Sequence, residues 1–244
     1  MRRSVLRPGI VLGLAAVLSV SPLAAVDRVD TVDPAIVPEV DPRMPVFDDQ
    51  VWVIGDEILV VPVDRGDSVS IRFPVGELDV EAAEIDEVRT ELRIDCRKIS
   101  EARCEKYRSK LRLEPSLRDG VVEVRLVGLP KWKLRRLQLD GRIEFPRWAP
   151  LAVRVGVGDV DIRSGDQDLT VRMGIGDLTV YAPQELVGSV VGRTGIGDAS
   201  LRAETFLEGK RKKLVGAKFD WHEGQGEVDI AVGLKIGDAR VVLE

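Results

Sequence analysis

One short pattern recurs along the chain and restricts its fold more than any other feature. Five segments fit a template of alternating apolar residues, then glycine and an acid, then two more alternating apolar residues. Val153, Val155 and Val157 precede Gly158-Asp159, with Val160 and Ile162 after; Val171, Met173 and Ile175 precede Gly176-Asp177, with Leu178 and Val180 after. Val232, Leu234 and Ile236 precede Gly237-Asp238, and Ile71, Phe73 and Val75 precede Gly76-Glu77. A weaker copy has Thr194 and Ile196 before Gly197-Asp198, and Gly226-Glu227 keeps only the second half. Side chains of a strand alternate with a period of two. The alternation here slips by one residue across each Gly-acid pair, which in a straight strand would turn the second half's apolar face to solvent. A bend at the pair restores it, and glycine tolerates the backbone angles that such a bend needs. Each unit therefore reads as two short strands joined at a corner, with one apolar face throughout and the structural corners at Gly76, Gly158, Gly176, Gly197 and Gly237.

The spacing of the corners predicts how the units assemble. Gly158, Gly176 and Gly197 lie 18 and 21 residues apart, and Gly197 to Gly237 is 40, about two such steps. Gly55 to Gly76, and Gly76 to Gly158, also fall near multiples of that step. A step near 20 residues predicts an all-β, solenoid-like stack of short β-rungs, each burying its apolar face against its neighbours. A two-sheet β-sandwich is the alternative, because short strands at regular intervals suit it too.

Other segments set the address and the boundaries. Arg2, Arg3 and Arg7, an apolar run from Ile10 to Val20, and Ser21 to Ala25 follow the order of a secretory signal peptide, so residues 1–25 read as a cleaved export signal. The apolar run is shorter than the ~20 residues that span a bilayer. Arg2-Arg3 also resembles a twin-arginine signal, though the n-region is short for that route. Residues 26–50 are dense in Asp and Pro and read as an acidic flexible linker. The β signals occupy 51–244. Within them, Ile99 to Leu111 breaks the alternation and predicts a short exposed helix, while Val121 to Asp140 reads as one or two strands. Export implies an oxidising compartment, where Cys96 and Cys104 pair in a disulfide that closes a short loop. Free thiols or half of a metal site are the alternatives, and a single histidine argues against zinc.

The Gly-Val/Ile-Gly-Asp strings behind an export signal resemble the bacterial putative-adhesin family, whose β-solenoid-like domains are called toast-rack domains. The resemblance covers most of Val69 to Glu244 and implies a repetitive cell-envelope domain with interaction or stress-associated roles. It supplies no catalytic residues.

Stacked rungs bring Glu77, Asp159, Asp177, Asp198 and Asp238 to one edge, where adjacent carboxylates repel by ~0.9 kcal/mol per pair in water at ~4.8 Å. The expectation is that each acid hydrogen-bonds to its own turn and faces solvent. A row of calcium ligands is the functional alternative, although the calcium-binding nonapeptide order is absent. Lys131, Lys133, Arg135 and Arg136, and a second cluster at Lys210–Lys213, read as solvated basic surface, with anionic lipid or acidic glycan as the alternative. His222 has no visible nucleophile beside it, and Trp221 reads as a core-closing residue near the C-terminus. The sequence thus predicts a non-enzymatic structural or interaction module that uses no cofactor and binds no nucleic acid. Its partners would be an envelope protein or glycan, met partly by strand addition at open sheet edges. A calcium- or glycan-binding module is the alternative, and a polysaccharide-acting enzyme a more distant one.

Overall fold

A computed structural model describes residues 57–96, 99–134, 137–203, 206–209, 216–222 and 224–244. The export signal and the linker lie outside the described residues, as do Gly55, Arg135, Arg136 and Lys210–Lys213. In chain order the elements are β1 (Glu57–Pro62), β2 (Ser68–Val75), β3 (Glu77–Ala83), β4 (Glu87–Cys96), α1 (Glu101–Arg108), β5 (Arg112–Arg118) and β6 (Val121–Val127). They continue with α2 (Lys131–Leu134), β7 (Leu137–Pro146), β8 (Leu151–Val157), β9 (Val160–Arg163), β10 (Leu169–Ile175) and β11 (Leu178–Ala182). After a 3-10 turn (Gln184–Leu186) come β12 (Val187–Ile196), β13 (Ala199–Ala203), β14 (Phe206–Gly209), β15 (Lys218–Trp221), β16 (Val228–Ile236) and β17 (Ala239–Leu243).

The strands form two sheets, ordered β1-β4-β7-β3-β9-β11-β17-β13-β14 and β15-β12-β16-β10-β8-β2-β6-β5. The all-β stack expected from the repeat is what forms, and its two walls are the two packed sheets of the alternative reading. Each rung sends one strand into each sheet. The rungs β2/β3, β8/β9, β10/β11, β12/β13 and β16/β17 turn at the predicted Gly-acid pairs, and β6/β7 turns through α2 instead. Neighbouring rungs run parallel in both sheets. The core between the walls is Val, Leu and Ile from the inward positions; Val61, Ile71, Val80, Ile143, Ile162, Leu201 and Val241 are wholly buried.

The stacking order is not the chain order. Counted along the chain as rungs one to six, they stack as two, one, three, four, six, five. The 40 residues between Gly197 and Gly237 include β14 and β15, one in each sheet, and the chain re-enters the stack at β16, between rungs already formed. The stretch from Gly76 to Gly158 differs: it holds one further rung, β6/β7 with its corner at α2, which stacks outside β2/β3. Gly226 is no corner, since it precedes β16 and lacks the positive φ of the true corner glycines. Antiparallel strands close both ends: β4 and β1 beyond β7, β5 beyond β6, β14 beyond β13, and β15 beyond β12. These caps stop further parallel addition. Pro115 sits in the edge strand β5, where its missing N–H costs no ladder bond.

The predicted helical excursion is α1. A disulfide joins Cys96 at the end of β4 to Cys104 within it, and the Arg108 guanidinium donates to the Ile94 carbonyl. The stretch from Val121 to Asp140 corrects the expectation of strand alone, because α2 occupies the corner position between β6 and β7. Lys133 there lies over the Tyr107 ring, and Leu134 is buried. The basic cluster around Trp132 is thus partly helical and not the face of a strand. Trp221 is buried at the end of the stack, as expected.

Candidate functional site

The corners form one long edge of the molecule, and its geometry follows from the glycines. Gly76, Gly158, Gly176, Gly237 and Gly197 have φ between +124° and +149°, a region that residues with a Cβ rarely enter. They also stack on one another. A Cβ on Gly158 would lie 1.8 Å from the Gly76 carbonyl oxygen, and one on Gly176 would lie 1.7 Å from that of Gly158. Gly237 and Gly197 repeat the contact at 1.8 and 2.0 Å. The corner amides continue the sheet ladder around the bend, with Gly158 N–H donating to Ile175 O and Gly176 N–H to Ile236 O, both at 3.0 Å.

The repeat acids build a second ladder beside the glycines. The N–H of Asp177 donates to Asp159 Oδ1 at 3.0 Å, that of Asp238 to Asp177 Oδ1 at 3.2 Å, and that of Asp198 to Asp238 Oδ1 at 2.9 Å. Asp159, Asp177 and Asp238 thus each accept from the next rung and not from their own turn, which corrects the local reading. An amide donor at each step offsets the repulsion between stacked carboxylates. Glu77, one methylene longer, begins the row outside this ladder. Among the described residues, no group of three or more His, Cys, Asp or Glu is arranged to hold a metal ion.

A third row was not foreseen. The last apolar residue before each glycine was expected in the core, but Val157 is 45 %, Ile175 46 %, Ile236 42 % and Ile196 57 % exposed. The chain has already begun to turn at these positions, so the side chain sits outside the corner. Register places Val157 beside Ile175, Ile175 beside Ile236 and Ile236 beside Ile196. The result is a line of β-branched residues ~14 Å long, alongside the acid row. Thr194 replaces the inward apolar residue of its rung for a visible reason: its hydroxyl donates to Gly197 O at 3.0 Å and accepts from Ala217 N–H at 3.1 Å. The polar residue that weakens this copy of the motif is a corner brace.

Elsewhere the titratable groups pair structurally. Arg147, in the β7–β8 connection, grips both oxygens of Asp166 at 3.0 and 2.9 Å and Glu84 Oε1 at 2.9 Å. Hydrogen bonding to Asp166, then Glu84, raises its pKa above the ordinary value. His222 is exposed and contacts Asp220 at 2.5 Å, while Lys218 reaches the other Asp220 oxygen at 2.8 Å. The Lys218 hydrogen bond, seconded by His222, holds the Asp220 carboxyl below its ordinary value. An open groove of about 830 Å³ on the outer face of the first sheet is lined by Glu77, Asp79, Glu91, Arg93, Arg142, Asp161 and Arg163 among others. Within it Arg163 lies 3.7 Å from Asp79, and Arg142 lies 3.7 Å from Glu81 beside the groove. Among the described residues no helix is long and apolar enough to cross a membrane.

No protein-family model matches the chain, and neither does any curated protein sequence. Solved structures do share its outline. A putative cell adhesion protein from Clostridium sporogenes is 14 % identical, with a TM-score of 0.45 over 78 % of this chain and 100 % of that one. Putative adhesins from Bacteroides fragilis (8 % identity, TM-score 0.27, 78 % and 97 % covered) and Parabacteroides merdae (8 %, 0.28, 76 % and 77 %) are also similar. These neighbours carry the same kind of name as the family that the repeats resemble. At such scores the likeness carries no weight for function.

Proposed function

We propose that this chain is an exported cell-envelope module that acts through its surface and performs no chemistry of its own. The row Val157, Ile175, Ile236 and Ile196 carries this reading. Four branched apolar side chains held in line on a rigid edge are hydrated at a free-energy cost, and a partner that covers them removes that cost. The corner residues have a structural use, the glycines in close approach and Asp159, Asp177 and Asp238 in inter-rung hydrogen bonds through one carboxylate oxygen each, which supports a non-catalytic reading of this edge. Residues 1–25 supply the argument for export, and 26–50 a tether between the export signal and the stack. No cofactor or metal is part of the reading.

The test is quantitative cross-linking of the mature protein in its native envelope, comparing wild type with an Ile175→Ser, Ile236→Ser double variant. Both positions face solvent, so the fold should survive the change. The expected result is one dominant cross-linked partner whose yield falls at least about fivefold in the variant. An unchanged cross-link pattern would overturn the assignment of the row.

A further inference from the structure

The outer face of the second sheet carries a row of cations that no short stretch of sequence displays. Register aligns Arg125 with Arg72, Arg72 with Arg154, Arg154 with Arg172, Arg172 with Gly233, Gly233 with Arg193, and Arg193 with Lys218. Six cations thus stand on seven adjoining strands, over ~29 Å at the usual strand spacing. Lys235, exposed one outward position closer to the corner, lies diagonal to the gap at Gly233. The ends of the row are neutralised: Arg72 and Arg125 by Glu123 at 2.5 and 3.4 Å, and Lys218 by Asp220. The middle is not. Among the described residues Arg154, Arg172 and Arg193 have no carboxylate partner, and their outward neighbours along the strands are Ala152, Thr170 and Val191 on one side and Gly156, Gly174 and Gly195 on the other. Stacked like charges repel by ~0.9 kcal/mol per adjacent pair even in water, and nothing in the sheet offsets it there.

We infer that this row binds a linear acidic polysaccharide lying across the strands. The inference rests on the surface-acting reading above and names a ligand for the arginine face that adjoins the corner row. Charge complementarity supplies the attraction, because a guanidinium row matches carboxylates repeated along a chain, and a pyranoside repeat is about as long as one strand spacing. The relief suits such a chain as well. The glycines beside the arginines leave a shallow groove of about 580 Å³, lined by Arg72, Pro74, Arg154, Gly156, Arg172 and Gly174. Beyond it stands the exposed row of Val157, Ile175, Ile236 and Ile196, so anionic edges of the sugars meet arginine while their C–H faces can rest on apolar side chains. A flat anionic membrane fits less well. The cationic strip is bounded by Asp168 and Asp229 four residues along the strands from Arg172 and Gly233, and by the Asp ladder past the corner. A broad negative surface would meet these carboxylates; a single chain stays within the strip.

The test uses the mature protein, polygalacturonate as the glycan probe, and phosphatidylglycerol–phosphatidylcholine vesicles as the membrane probe. An Arg154→Gln, Arg172→Gln variant is compared with an Arg202→Gln, Arg240→Gln variant, which removes the same charge from exposed positions on the other sheet. The expected result is salt-sensitive polygalacturonate binding, weakened at least about fivefold by the first pair and less than twofold by the second. Equal weakening by both pairs would reduce the effect to net charge and overturn the proposal. Absence of polygalacturonate binding, with vesicle binding that depends on Arg154 and Arg172, would reassign the row to a membrane. If neither probe binds while the cross-linked partner of the corner row persists, the polysaccharide proposal fails and the surface-acting reading stands.

Discussion

Replacing Gly176 by alanine tests the corner most directly, because two separable penalties meet there. The first is conformational. Gly176 has φ +132°, where a residue with a Cβ costs about 1–3 kcal/mol. The second is contact: the new Cβ would lie 1.7 Å from the Gly158 carbonyl oxygen. That carbonyl cannot simply retreat, because the same rung is held by Gly158 N–H to Ile175 O and by Asp177 N–H to Asp159 Oδ1, both at 3.0 Å. Opening the gap strains two or three such bonds, each with a net worth of about 1 kcal/mol. The sum is about 3–6 kcal/mol, or a fall in Tm of about 9–18 °C at about 3 °C per kcal/mol for a domain of this size. Gly66 provides the internal control. Its φ is +102°, and nothing lies within 4 Å of a Cβ placed on it, so Gly66→Ala carries the conformational cost alone and should lower Tm by only about 3–9 °C. Thermal unfolding followed by circular dichroism on both variants reads the difference. Melting temperatures within about 3 °C of each other would refute the claim that the stacked carbonyl makes these corners glycine-only.

Asp177→Asn keeps a carbonyl oxygen for the Asp238 N–H and removes one charge from the row, so Tm should stay within about 2 °C, whereas Asp177→Ala should lose about 1 kcal/mol; a larger loss for Asn than for Ala in the same melts would contradict the ladder. Reducing the Cys96–Cys104 bridge, separation 8, should cost at most about 2.5 kcal/mol by loop-closure entropy, and hydrogen exchange should show the loss confined to β4, α1 and their neighbours; global unfolding on reduction would show that the bridge supports the whole stack. Because its folded pKa is depressed, Asp220 favours the folded state above its unfolded pKa and loses that contribution as pH falls through the folded value. Lys218 is the larger cause, so Lys218→Met should raise the carboxyl titration midpoint seen by NMR more than His222→Asn does, and the reverse order would refute the ranking.

Much of this architecture is legible in the chain because its signals are local. Alternation of Val, Leu and Ile reports a strand, the slip of phase at Gly-Asp reports a corner, and loss of alternation between Ile99 and Leu111 reports α1. Trp221 and the paired cysteines are likewise readable from neighbours and compartment. What stayed hidden is long-range. Val157, Ile175, Ile196 and Ile236 continue the inward phase on paper, and only the path of the turning backbone puts them outside. Asp159 and Asp177 lie 18 residues apart, and Asp177 and Asp238 lie 61 apart, so which acid serves which amide depends on the stacking order. The arginine row is legible in part: Arg72, Arg154, Arg172 and Arg193 each stand four residues before a corner glycine, but Arg125 lies outside that repeat, and only stacking order and strand register make neighbours of them. The sequence alone determined that this chain makes rungs with glycine corners, since side-chain alternation and backbone sterics act within a few residues. The exchanged order of the first two and last two rungs, and with it which residues are neighbours within each surface row, was decided only in the tertiary structure. A parallel rung offers the same backbone donors and acceptors to any partner, so capping strands and connection paths choose among them.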